Sequence, residues 1–137
     1  MNILEEFGTF SKNFFLNNNI LDLEKLLKFN ENTKQKAKKL SKYIKDDIEI
    51  IINEFYDNNM KDEKSVKIFK NKEEIESLKK INAHYFYYLF SGPFDEKYYL
   101  KKLQIGCVHY LRGVTTDIYF PSIGNLGNIL NKVWKKK

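Results

Sequence analysis

Two histidines, His84 and His109, hold most of the metal-binding chemistry open to this chain of 137 residues. There is no Cys-x-x-Cys, no His-Glu-x-x-His and no Cys-x-x-Cys-His. Gly124 and Gly127 lack both a preceding strand pattern and a following Lys-Ser/Thr, so a phosphate-cradling loop is excluded. A lone histidine on an amphipathic helix is more often a core-edge or surface residue than a ligand, so its surroundings must decide. Around His109 they are suggestive. Gly106, one turn earlier, has no side chain and would let a flat macrocycle come close to the backbone. Ile105 and Val108 supply apolar walls. Lys102 and Arg112 lie on nearly the same face and could partner acidic side groups. His84 has no such setting and reads as a surface or rim residue. Cys107 is expected to point away from the His109 side as a small buried residue.

The elements that must carry these residues read as helices throughout. Met1 to Asn19 is polar with a few aromatics and is expected to form an arm or short helix. Ile20 to Phe29 carries Leu21, Leu23, Leu26 and Leu27 as a short amphipathic helix, and Asn30 to Thr33 reads as a loop with capping residues. A long helix follows from Lys34 to Asn59, with a ridge of Leu40, Ile44, Ile48, Ile51 or Ile52, and Phe55, and with Tyr56 beside it. Asn58 to Ser65 is a polar connection before a short segment holding Phe69. The next helix spans Glu73 to Phe90, with Leu78, Ile81, Tyr85 and Tyr88 or Leu89 on one face, and Ser91-Gly92-Pro93 ends it. Asp95 can cap a helix reaching about Arg112, which aligns Tyr98, Lys102, Ile105 and His109. Gly113 to Asp117 breaks that helix. A last one starts near Ile118, with Pro121 in its first turn. No period-two alternation and no internal repeat is present, so the fold class is all-α.

Size and composition bound the rest. The chain is one domain's worth, 1–137, and 42% of its residues are hydrophobic, enough for a core of its own. Aromatic residues make up 15%, which suits a planar ligand and ordinary packing alike. The net charge of +6 comes from lysines dispersed along the chain, and only Lys135, Lys136 and Lys137 form a run, so no nucleic-acid partner is expected. Cys107 is the single cysteine, which excludes an intrachain disulfide and fits a reducing, cytoplasmic compartment. No apolar run approaches the ~20 residues that cross a bilayer, and no signal peptide precedes a cleavage site.

In order along the chain stand Phe55-Tyr56, Leu78-Lys79-Lys80, Leu89-Phe90-Ser91-Gly92, Asp95-Glu96 and Ile105-Gly106-Cys107-Val108-His109. This series resembles the sensor domain of globin-coupled sensors and protoglobins over roughly Asn30 to Leu130. The resemblance implies a globin fold around a non-covalent haem b, with helices crossing steeply about the pocket. It makes His109 the proximal ligand of the iron. Tyr56 becomes the distal residue, whose hydroxyl can donate a hydrogen bond to a diatomic gas: oxygen, with carbon monoxide and nitric oxide as other candidates. Phe55, Phe69, Leu78, Ile81, Ile105, Gly106 and Val108 become haem contacts, and Lys102 and Arg112 partners of its propionates. Tyr119, ten residues after His109, would stand close enough to the imidazole to influence it. Phe69, Leu78, Tyr56 and Tyr119 can each also be read as plain packing residues.

The resemblance has gaps that shape the expectations. The family's polar helper of the distal tyrosine, three positions after the residue matching Leu78, is here Ile81, so Tyr56 is expected to act without it. After the histidine, the family's His-x-Arg becomes His109-Tyr110-Leu111-Arg112, which moves the arginine by one place. Thr116 and Ile118 stand where a proline and a tryptophan are usual. No sequence remains after Lys137 for a final H helix, and a homodimer would rest on the G helix. The function expected is haem-based sensing of a gas as the input domain of a signalling protein, not an enzyme. The alternative is a haem-free globin-fold signalling or interaction module.

Overall fold

The structure is a computed structural model that describes residues 20–136, with Glu5 and Asn13 before them. The expected N-terminal arm therefore lies almost wholly outside the described residues. Six helices follow: α1 (Ile20–Leu26), α2 (Glu31–Asn59), α3 (Glu63–Val66), α4 (Lys72–Ser91), α5 (Glu96–Leu111) and α6 (Thr116–Trp134). Among the described residues there is no strand, and no helix is long and apolar enough to cross a membrane.

Short polar side chains set where the helices begin. Asn30 Oδ1 accepts from the Thr33 amide at 3.0 Å, so α2 starts at Glu31 and the expected loop to Thr33 contracts to its capping residue. Asn71 accepts from the Glu74 amide at 2.8 Å, and the Glu74 carboxylate reaches back to the Lys70 amide at 2.7 Å. This reciprocal pair satisfies two amides at the start of α4. Asp95 caps α5 as expected, accepting from the Tyr98 amide at 3.0 Å. The polar connection after α2 contains α3, capped by Asp62. Thr115 starts α6 two residues earlier than expected, so Pro121 falls in its second turn rather than its first. Proline has no N–H, and the Asp117 carbonyl loses its helical partner there.

Helix α2 is the spine, and α4 and α6 pack along it. The choice between Ile51 and Ile52 resolves into both. Ile51 joins Ile44, Ile129, Leu130 and Val133 in a core against α6, whereas Ile52 joins Tyr56 and Ile75 in a core toward α4. Ile48 and Phe55 touch both clusters. The buried stripe of α4 runs Ile75, Leu78, Asn82/Ala83 and Phe86, not through Ile81, which is 58% exposed. A helix turns 100° per residue, so a stripe centred on Leu78 and Asn82 turns Ile81 outward.

Helix α5 is held differently. At its start Tyr98 and Tyr99 are buried. The Tyr98 hydroxyl donates to the Leu89 carbonyl at 2.9 Å, and the Tyr99 hydroxyl donates to Glu24 of α1 at 2.8 Å. Glu24 also takes an ion pair from Lys34 at 2.7 Å, so this buried carboxylate has two partners. Phe29, Phe94 and Tyr98 complete an edge-to-face aromatic cluster at that end. From Leu100 to Leu111 no residue is buried.

Candidate functional site

The candidate residues gather in two groups. Phe55 and Tyr56 of α2, Phe69 of the segment before α4, and Leu78 of α4 meet in one cluster. The Tyr56 ring lies 5.5 Å from Phe55 and 5.9 Å from Phe69, and Phe55 packs edge-to-face on Phe86 at 5.6 Å. Tyr56 is 3% exposed, so its hydroxyl needs a partner. Asn82 supplies it: the Asn82 Nδ2 donates to the Tyr56 oxygen. Burial pushes the Tyr56 hydroxyl up to about 12, against smaller opposing effects of the Asn82 bond and the Arg112 charge. At neutral pH Tyr56 is therefore protonated. Because its oxygen accepts from Asn82, its own proton is left to donate elsewhere.

The second group stands on α5 and α6. His109 is half-buried, and its ring centroid lies 5.7 Å from that of Tyr119 on α6. Burial pulls the imidazole below its usual pKa, which favours the neutral ring whose nitrogen lone pair can bind a metal. Ile105 is half-buried and Val108 exposed on the same helix. A side chain built at Gly106 would meet nothing within 4 Å, so the backbone there borders open space. Lys102 is exposed, with its Nζ 4.6 Å from the centre of the Tyr98 ring.

Two links join the groups. Arg112 Nη1 forms an ion pair with Glu74 of α4 at 2.7 Å, and its charge reaches the Tyr56 hydroxyl. The arginine expected to meet a propionate thus has a carboxylate partner within the protein. The other link is Tyr85 of α4, whose hydroxyl is raised to about 12 by burial first and then by Tyr119 and Tyr88.

Three contributors were not singled out from the sequence as site residues: Asn82, Tyr85 and Glu74. For Asn82 a signal existed, because one amide interrupts the apolar series Ile75, Leu78, Phe86 at helical spacing. Glu74 stands three residues after Asn71, the spacing of a capping pair, but its link to Arg112 joins helices far apart in sequence. Ile81 is not brought to the site, and His84 is exposed.

Among the described residues the domain is all-helical, with a half-buried histidine on α5 and a buried, amide-held tyrosine on α2. The chain matches the protoglobin family over residues 16–137, and it belongs to that family. Membership carries the globin fold and haem-based gas binding as the family's character. No curated protein and no solved structure matches the chain.

The residues present fit a haem. Among the described residues no three His, Cys, Asp or Glu side chains converge on a bare-ion site. The open space at Gly106 leaves room beside His109 for a haem edge.

Proposed function

We propose that this chain binds haem b non-covalently through His109 and uses it to sense a diatomic gas, with oxygen first and carbon monoxide and nitric oxide as other candidates. The observation that carries this reading is His109 itself. Within a protoglobin match, it is a half-buried, neutral histidine with open space one turn away at Gly106. Haem, when bound, would supply an iron able to hold a diatomic gas.

The chain's own residues would do the rest. A His109 ring nitrogen is the ligand, and Ile105, Val108, Phe69 and Leu78 offer apolar surface to the macrocycle. The Tyr119 ring beside His109 limits how the imidazole can rotate. Tyr56 is the donor on the gas side, with its hydroxyl proton freed because Asn82 donates to its oxygen. Bound oxygen accepts a hydrogen bond better than bound carbon monoxide does, so this donor retains oxygen more than it retains carbon monoxide. We take the domain to be a sensor input, acting in the cytoplasm on a partner or output domain, and not an enzyme. The exposed side of α6, with Phe120 and Ile123, is where a homodimer would form.

An absorption spectrum of the chain reconstituted with haem tests the reading. It should give a Soret band that shifts with oxygen and with carbon monoxide in the reduced state, and His109→Ala should abolish the five-coordinate spectrum. A folded chain that takes up no haem would establish the haem-free interaction module instead.

A further inference from the structure

Helix α5 carries His109 and is gripped by polar contacts at both ends. At its start, Tyr98 and Tyr99 hold the Leu89 carbonyl and Glu24. Past Tyr99 no residue of α5 is buried, so packing restrains that stretch weakly. At its C-terminal cap Arg112 reaches Glu74 at 2.7 Å, with the two side chains 35% and 17% exposed.

Glu74 is held at two points. Its Oε2 accepts from the Lys70 amide and its own amide donates to Asn71, leaving Oε1 aimed at Arg112. The next residue, Ile75, is buried in the same cluster as Tyr56. The ion pair therefore crosses from the end of the His109 helix to the wall that holds Tyr56.

We propose that Glu74 is a positioning residue: through Arg112 it ties the His109 helix to the first turn of α4 and limits how far the His109 and Tyr56 sides can part, and so how readily a gas enters between them. This role rests on the proposed haem site. It also gives the displaced arginine a task, because one place further along the helix it meets a carboxylate of the protein.

The test uses the full chain with three substitutions and one pair. Glu74→Gln keeps an oxygen for the Lys70 amide while removing the charge, so the start of α4 survives. Arg112→Met keeps the stem without the charge. Arg112→Lys keeps the charge.

In the haem-loaded chain, carbon monoxide association after flash photolysis should speed by about two- to fivefold in Glu74→Gln and in Arg112→Met, the range expected for a partly exposed ion pair. The double variant should gain no more than either single one. Arg112→Lys should stay near the parent. In the haem-free chain, amide hydrogen exchange over residues 108–114 should speed in the same variants.

An effect in Arg112→Met with none in Glu74→Gln, or additive effects in the pair, would overturn the proposal. So would unchanged exchange. A parent chain without a Soret band would instead refute the haem site, and exchange would still decide whether Glu74 ties the helix down.

Discussion

Removing the Tyr56 hydroxyl, the Asn82 amide, or both gives a cycle whose outcome follows from burial. Tyr56 is 3% exposed and its oxygen accepts from Asn82, so Asn82→Ala strands a buried hydroxyl. Leaving such a group unpaired costs about 1–3 kcal/mol. Tyr56→Phe strands the Asn82 donor instead, but Asn82 is only half-buried and water can reach it, so the cost should sit near 1 kcal/mol.

The double variant Tyr56→Phe/Asn82→Ala leaves neither group orphaned. It should be less destabilised than the sum of the singles by about 1 kcal/mol. Urea denaturation of the haem-free chain reads this directly. Oxygen dissociation from the loaded chain reads the functional half: Tyr56→Phe should speed release roughly ten- to a hundredfold, a bond of about 1.5–3 kcal/mol. Asn82→Asp should also speed release, because a carboxylate would capture the phenol proton that an amide N–H leaves free. Strict additivity in urea, or oxygen release unchanged by Tyr56→Phe, would refute the reasoning.

Other outcomes follow from the same geometry. Ile51→Ala, at a fully buried contact between α2 and α6, should cost about 2–5 kcal/mol in chemical denaturation. A Cβ at Gly106 meets no protein atom within 4 Å, so Gly106→Ala should leave the haem-free chain at least as stable while haem uptake weakens, which titration by absorbance would show. The raised hydroxyls of Tyr56, Tyr85 and Tyr98, each about 12 against an unfolded value of 10, set an alkaline limit. A raised pKa means the folded state holds the proton more tightly, so stability should be full below pH 10 and fall between about 10 and 12. Circular dichroism against pH, with tyrosinate absorbance alongside, would show whether ionisation and unfolding coincide.

Much of this was legible in the chain itself. Asp95 announced a helix start because capping is a matter of three residues, and the ridge of α2 could be read from spacings of three and four. His109 and Tyr56 stood out through ordered motifs, and the family match over residues 16–137 agrees with that series. Where local rules ran out, errors were small rotations. The α4 stripe was centred one residue early at Ile81, since a run as apolar as Tyr85 to Phe90 supports several faces equally and only α2 selects one. Pro121 was placed a turn too early because Thr115, with no side-chain cap bond, leaves little local mark of where α6 begins.

The sequence thus determined the helices other than α3, because each depends on neighbours within a turn or two, while His109 and Tyr56 came forward through the family resemblance. Tertiary structure alone decided that Asn82 rather than Ile81 meets Tyr56. It also decided that Arg112 meets Glu74, 38 residues away in the chain. Pairings of that kind depend on how helices rotate and cross, and packing against α2 sets that rotation through contacts that no local spacing encodes.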